Sequence, residues 1–237
     1  MQLAGHCGEP DDLLTTGWRD WYRSVEVAAC RLAARVDHLF VAGLSMGAVL
    51  ALELAVQRPA LVRAVALYGT TFVYDGWAVP RVARLAFLLP LACALGVGQK
   101  RAFMEAFPYG IKDSRIRERI VGSMLAGDSA AAGLAGNPWP SLAQFELLAR
   151  RVRRNLPLMR APCIALHAAH DDVASVRNVD LVRQRAGAEV AAHLLEDSYH
   201  MITVDRERQV VVDRTVEFFS AIAAKLDAGK SARGIAA

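Results

Sequence analysis

The stretch Leu39-Phe40-Val41-Ala42-Gly43-Leu44-Ser45-Met46-Gly47-Ala48-Val49-Leu50-Ala51-Leu52-Glu53-Leu54-Ala55-Val56 decides how the rest of the chain is read. An apolar run, Leu39 to Ala42, enters Gly43-Leu44-Ser45-Met46-Gly47, and a helix-like run from Ala48 to Val56 follows. A strand that turns directly into a helix through Gly-x-Ser-x-Gly is a nucleophile elbow. Such a turn holds its serine in a strained backbone conformation, and the flanking glycines remove Cβ atoms that would collide. Ser45 is therefore predicted to stand exposed above a sheet. Met46 is predicted at the helix N-terminus, where a free backbone N–H can donate to a developing oxyanion. The pattern points to acyl-transfer chemistry. A five-residue pattern can arise by chance in a chain with 17 glycines, so the strand before it and the helix after it give it its meaning.

Outward from this stretch, helix and strand patterns alternate. Trp18, Trp21, Val25, Ala28 and Leu32 recur at intervals of three and four between Thr16 and Val36, one face of a helix leading into the strand. Arg58-Pro59 stops the elbow helix, and Val62 to Tyr68 reads as a second buried strand. Two strands flanking a helix imply a parallel sheet with helices on its faces. The sheet resumes at Cys163 to His167 and again at Glu189 to Leu195, with a helix from Ser175 to Ala186 between them. An amphipathic helix, Arg208 to Leu226, closes the domain, and residues 227–237 read as a small, polar, mobile tail.

Between residues 69 and 156 the regularity breaks. Aromatic residues, prolines and a Gly/Ala-rich passage from Gly122 to Gly136 interrupt the helices, and no strand pattern is visible. So long a stretch without a strand exceeds an ordinary crossover connection, and it reads as an inserted helical cap. The expected organisation is therefore a core from residues 1–68 and 157–226, a cap from 69–156 and a tail from 227–237.

Composition narrows the class. The chain has 237 residues, 54% apolar and 22% charged, which suits one α/β domain with an insertion and excludes disorder. The formal net charge is +4. The one dense basic cluster, Arg150, Arg151, Arg153 and Arg154, reads as a solvated helix face, and no nucleic-acid partner is expected because no recognition motif accompanies it. Cys7, Cys30, Cys93 and Cys163 are widely spaced, unlike a disulfide framework or zinc site. Cys30 and Cys163 are expected as buried thiols, and a cytoplasmic setting follows as the default. The N-terminal residues carry neither a basic flank nor an apolar h-region. Leu85 to Val97, interrupted by Pro90, is too short for a membrane span and reads as a helix that is buried or faces a lipid-like substrate.

A serine hydroxyl needs a base, and an imidazole base needs a carboxylate to orient it. In enzymes built around such an elbow the chain order is Ser, acid, His, each in a loop after a strand. Asp171 follows the strand 163–167, and His200 follows the strand 189–195. Asp172 is an alternative to Asp171, and His170 to His200; His193, His38 and His6 read as structural or surface residues. The cluster His167, His170, Asp171 and Asp172 has metal-binding chemistry but lacks a distant ligand of matching type.

These residues together carry a resemblance. The loop Gly5-His6-Cys7-Gly8, Trp18 and Trp21, the elbow at Ser45, His170-Asp171-Asp172-Val173 and Ser198-Tyr199-His200-Met201-Ile202 resemble the bacterial carboxylesterase and monoacylglycerol lipase group of the α/β-hydrolase superfamily, serine aminopeptidase-like hydrolases included. The similarity spans about Leu3 to Leu226. It implies an α/β-hydrolase fold, with a mostly parallel sheet, helices on both faces and an inserted cap. It also implies Ser45 as nucleophile, Asp171 as orienting acid, His200 as base and Met46 as one oxyanion donor, with no metal or organic cofactor. In one respect the chain departs from the group: the strands and the His-Gly loop that supply the second oxyanion donor precede the position where this sequence starts. Gly5-His6 matches a later loop. Losing that donor costs on the order of 10²–10³ in turnover.

The function expected is hydrolysis of small apolar carboxylic esters, short- or medium-chain esters or monoglycerides, through an acyl-enzyme. The alternatives are a carbon–carbon bond or amide hydrolase on the same triad, or a relative that binds an apolar ligand without turnover.

Overall fold

Runs of alternating and small apolar residues build the centre of the molecule. In the computed structural model, which describes residues 1–127 and 129–234, helices α1 (Pro10–Leu14) and α2 (Trp18–Ala33) lead into strand β1 (Leu39–Leu44). Helix α3 (Met46–Gln57) and strand β2 (Val62–Tyr68) follow. A 3-10 segment (Arg81–Leu88), α4 (Leu89–Ala94), β3 (Ala102–Met104), α5 (Ser114–Leu125), α6 (Ser129–Ala132), β4 (Gly136–Pro138) and α7 (Trp139–Asn155) come next. The chain ends with β5 (Cys163–Ala168), α8 (Arg177–Arg185), β6 (Val190–Leu195) and α9 (Arg208–Gly234). Among the described residues the main sheet has four parallel strands in the order β1-β2-β5-β6.

Strand periodicity sorts side chains between two apolar layers. Val65 and Leu67 of β2, with Cys163 and Ala165 of β5, enter the larger core beneath α2, α3, α7 and α8. Ala66 of β2 and Ile164, Leu166 and Ala168 of β5 face the opposite layer, closed by Val211, Phe218 and Phe219 of α9. Phe219 stacks on Phe40 of β1 at 4.8 Å between ring centroids. Helix α3 is buried from Ala48 through Ala55, as a helix apolar on all sides must be.

The insertion differs in three ways from its sequence pattern. β3 and β4 pair antiparallel, Phe103 opposite Asn137, where no strand is visible in the pattern; three-residue strands are too short to show a period. Helix α7 lies inside the expected cap limit of 156, yet Phe145, Leu148, Ala149 and Val152 pack into the larger core, so by packing the insertion ends near β4. Residues 85–97 are neither buried nor one helix: they divide between the 3-10 segment and α4, and Leu91 and Leu95 are exposed.

Two further expectations change. The polar tail continues as helix to Gly234, because α9 gains anchors beyond Leu226 such as the His38–Asp227 hydrogen bond of 2.7 Å; residues 235–237 lie outside the described residues. Cys30 is exposed while Cys163 is buried, since the buried face of α2 runs through Trp18, Trp21, Val25 and Ala29 and the helical period turns Cys30 away from it. Among the described residues no helix is long and apolar enough to cross a membrane.

The arginine cluster is only partly a solvated face. Arg151 Nε reaches Oε1 of the fully buried Glu53 on α3 at 2.6 Å, and its guanidinium lies 5.6 Å from the Trp18 ring centroid. Removing one partner of a buried pair leaves the other charge uncompensated. Arg151→Met is expected to destabilise the fold by about 1–3 kcal/mol, the half-exposed guanidinium reducing the full cost. Adding Glu53→Leu should recover most of the loss, measured by thermal unfolding of both variants.

Candidate active site

The turn from β1 to α3 is made at one residue. Ser45 has φ 55° and ψ −116°, a region a non-glycine residue occupies at a cost of about 1–3 kcal/mol. Its N–H donates to the Tyr68 carbonyl at 2.8 Å, and its carbonyl accepts from Ala48 and Val49. A Cβ on Gly43 would collide with the backbone of Gly47 and Ala48, whereas a Cβ on Gly47 would meet nothing within 4 Å. The steric demand expected of both glycines thus falls on Gly43. Met46 is the first residue of α3, where a backbone N–H has no intrahelical acceptor.

The loops after β5 and β6 bring an acid to an imidazole. His200 Nδ1 lies 2.9 Å from Asp171 Oδ2 and 3.1 Å from Oδ1. Asp171 Oδ1 also accepts from the N–H groups of Val173 and Ala174 at 2.8 and 2.7 Å, which holds the carboxylate in place independently of the histidine. Asp172 faces the other way: it accepts from the backbone N–H of His200 at 3.2 Å and of Gly110 at 2.9 Å. One aspartate therefore meets the ring and its neighbour ties the histidine loop to the insertion. Gly69, at φ +49°, passes so close that a Cβ there would stand 3.2 Å from ring atoms of His200.

Ser45 does not hydrogen-bond to His200. Its Oγ lies 3.2 Å from Thr71 Oγ1. Thr71 directs its single proton to the Gly69 carbonyl at 3.0 Å, so the Ser45 hydroxyl is the donor to Thr71. His200 Nε2 is buried and has no partner among the described residues. A buried nitrogen left unpaired calls for a physical account, and a histidine aligned by Asp171 through Nδ1 keeps Nε2 free to take up a proton.

The charges around His200 reinforce its basicity. Burial alone pushes the imidazole down, but Asp171, with Asp172 and Glu105, outweighs it and raises the ring above its ordinary value. Burial pushes Asp171 up, but His200 and His167 outweigh this and hold it below the ordinary carboxylate value. Asp172 is raised, chiefly by burial. Glu105 is also raised by burial, although Asn137, whose Nδ2 donates to it at 2.7 Å, and His200 act against the shift.

The remaining candidates disperse. His170 is exposed, and its carbonyl accepts the Trp77 indole N–H at 2.9 Å. His167 is buried beside Asp171 at 3.4 Å and donates from Nε2 to the Ala174 carbonyl at 2.7 Å; burial lowers its pKa. His193 lies in β6 opposite Leu166. His6 packs edge-on against Trp21. Sequence reasoning missed Thr71, Glu105 and Asp205. Buried Asp205 accepts from the N–H groups of Tyr199, Lys112 and Asp113 at 2.9, 2.7 and 3.0 Å, fastening the histidine loop to the insertion. A polar residue shortly after His200 is the only signal in the sequence for Asp205, and it is not specific. A cavity of about 410 Å³, lined by Trp77, His170, Asp171, Ser175 and Arg177 among others, adjoins the acid loop, but neither Ser45 nor His200 lines it.

Known proteins resemble this chain in sequence and in fold. The family model described as serine aminopeptidase, S33, matches residues 14–207. A thermostable monoacylglycerol lipase from Bacillus sp. (strain H-257) is 26% identical over 220 residues, covering 92% of this chain and 77% of the lipase. A carboxylesterase from Bacillus subtilis (strain 168) is 21% identical over 224 residues, covering 92% and 78%. Among solved structures, one of the metagenome-derived lipolytic enzymes LipS and LipT superposes with a TM-score of 0.75 at 22% identity, covering 93% of this chain and 80% of that one; it is an α/β-hydrolase likeness of fold.

The two elbow glycines separate experimentally. Gly43→Ala is expected to overpack the turn at about 1–3 kcal/mol or more, while Gly47→Ala, inside a helix with open space, should be neutral or stabilising by up to about 1 kcal/mol. Thermal unfolding of the two single variants checks the contrast.

Proposed function

The chain belongs to the serine aminopeptidase family of α/β-hydrolases, and we propose that it cleaves small apolar carboxylic esters through a covalent acyl-enzyme on Ser45. The observation that carries this reading is the orphaned, buried Nε2 of His200 behind an Asp171–His200 hydrogen bond of 2.9 Å. Ser45 leaves Thr71 and donates its proton to Nε2 as Oγ attacks the ester carbonyl. Asp171, held ionised, stabilises the imidazolium that results. Met46 N–H faces the oxyanion as carbonyl π-electrons move to oxygen. The imidazolium then protonates the departing alcohol, and a water deprotonated by His200 releases the acid and restores Ser45. The names of the relatives, monoacylglycerol lipase and carboxylesterase, support esters of apolar acyl chains.

A second reading has one observation in its favour: the Ser45 hydroxyl rests on Thr71, as in a protein that keeps the pocket for binding alone. A fluorophosphonate separates the two. Stoichiometric labelling of the 237-residue chain at Ser45, lost in Ser45→Ala together with hydrolysis of p-nitrophenyl butyrate, is expected for the hydrolase. A folded chain that refuses the label, or full activity in Ser45→Ala, overturns it.

The pH dependence carries a sign. The base must be neutral, and its pKa is raised by neighbouring carboxylates, so activity should rise with pH along a limb centred above about 6.5. Asp172→Asn removes one of those charges while keeping an acceptor for the His200 N–H. That limb should then move to lower pH, read from kcat/KM against pH for both proteins.

A further inference from the structure

Residues 76–104, from the end of the β2 loop through β3, are distinctive in charge and in exposure. They contain Arg81, Arg84, Lys100 and Arg101 and no acidic residue or histidine. The remaining 24 basic and 24 acidic residues of the chain balance, so the net charge of +4 is concentrated in this one segment. All four cations are exposed, and among the described residues none has a carboxylate within ion-pair distance.

The same segment exposes many of its apolar side chains. Val82, Leu85, Leu88, Leu91, Leu95 and Val97 all stand in solvent, Leu91 at 62% and Leu95 at 73% of full exposure. No side chain of the 3-10 segment or of α4 is fully buried. Isolated exposed leucines need no account, but Val82, Leu85 and Leu88 recur at the three-residue period of the 3-10 segment and so share one ridge, and such a ridge followed by exposed Leu91, Leu95 and Val97 marks a surface made for an apolar medium.

We propose that this face of the insertion docks on an anionic lipid bilayer, its leucines and valines entering the acyl boundary while the four cations meet lipid phosphates. Interleaved apolar and basic side chains are what an interfacial segment requires, because long cationic stems reach the headgroup level while their apolar neighbours sink below it. Each basic residue near a negatively charged leaflet adds to the attraction, and acids would subtract from it. A protein partner is the less suited occupant. Protein interfaces carry roughly one hydrogen bond per 100–200 Å², and the uncharged polar groups of the segment are already used: Gln99 Nε2 donates to the Cys93 carbonyl and the Trp77 indole to His170. The inference uses nothing of the chemistry at Ser45, so it stands or falls apart from the proposed hydrolysis.

The test is co-sedimentation of the full chain with large unilamellar vesicles, either pure phosphatidylcholine or phosphatidylcholine with about one third phosphatidylglycerol. Partitioning onto the anionic vesicles is expected to exceed that onto neutral ones roughly tenfold or more at low ionic strength, and to weaken in high salt. Leu91→Asp/Leu95→Asp and Arg81→Glu/Arg84→Glu should each lower it at least tenfold. Circular dichroism and melting temperature should stay unchanged, since all four side chains are exposed. Should the leucine pair lose the fold, the arginine pair, wholly exposed, carries the comparison. Equal binding to neutral vesicles, no binding, or undiminished binding by folded variants overturns the proposal. So does a chain that sediments as a dimer and becomes monomeric in Leu91→Asp/Leu95→Asp, which would make the patch an interface between two copies.

Discussion

A parallel sheet delivers every strand to the same edge, and the candidate site depends on that constraint. Ser45 leaves the end of β1, Gly69 and Thr71 follow β2, Asp171 and Asp172 follow β5, and His200 follows β6. Parallel pairing forces the connections back across the faces of the sheet, so the loops at the carboxyl ends are free to converge. The glycines serve the same convergence. Gly43 lets a helix start against its own strand, and Gly69 gives the imidazole ring room. The strain at Ser45 is borne by a surrounding that is buried and hydrogen-bonded on both sides, through the Tyr68 carbonyl below and the first turn of α3 above.

Three aspartates share the work of holding the loops, and each does so by accepting backbone N–H groups. Asp171 ties its own loop and the ring of His200; Asp172 ties the backbone of His200 to Gly110; Asp205 ties Tyr199 to Lys112 and Asp113. The insertion is therefore fastened to the histidine loop at two points by buried carboxylates. A change in the insertion can reach His200 through these bonds as well as through packing such as that of Trp77 on Tyr199, and the field of Asp172 and Glu105 on the imidazole makes the position of the insertion an electrostatic matter too.

Much of this is visible in the sequence, and the exceptions have physical causes. β2 spans the predicted Val62 to Tyr68 without adjustment, and β1, β5 and β6 lie within one or two residues of their predicted limits, because each reads as a largely apolar run, most clearly in β5, which is buried throughout, and in β2, which is nearly so. The elbow is legible because its geometry admits so few residues. The α/β-hydrolase likeness and the family are carried by motifs spread along the chain. The resemblance singles out Asp171, but the two residues by themselves do not separate it from Asp172, since adjacent residues on a loop point in opposite directions for reasons set by partners far away. Thr71 is silent for the same reason. The assignment of α7 to the core escapes a reading by continuity, because its anchors Phe145, Leu148 and Val152 look the same whether they face a sheet or a cap. The helix beyond Leu226 escapes because polar residues at a terminus resemble a tail until His38 and Asp227 meet.

The stacking of Phe219 on Phe40 bears on the order in which the molecule assembles. Strand β1 and helix α3 are neighbours in sequence and can form early, yet the second layer over β1 comes from α9 at the other end of the chain. Until the ribosome has released that helix, one face of the elbow strand is left uncovered, and a half-covered apolar strand is prone to pair with the wrong chain. Contacts so distant in sequence also slow the search for the native arrangement. Helix α9 thus completes the second layer over β1, and shortening it is expected to show first as aggregation of the chain.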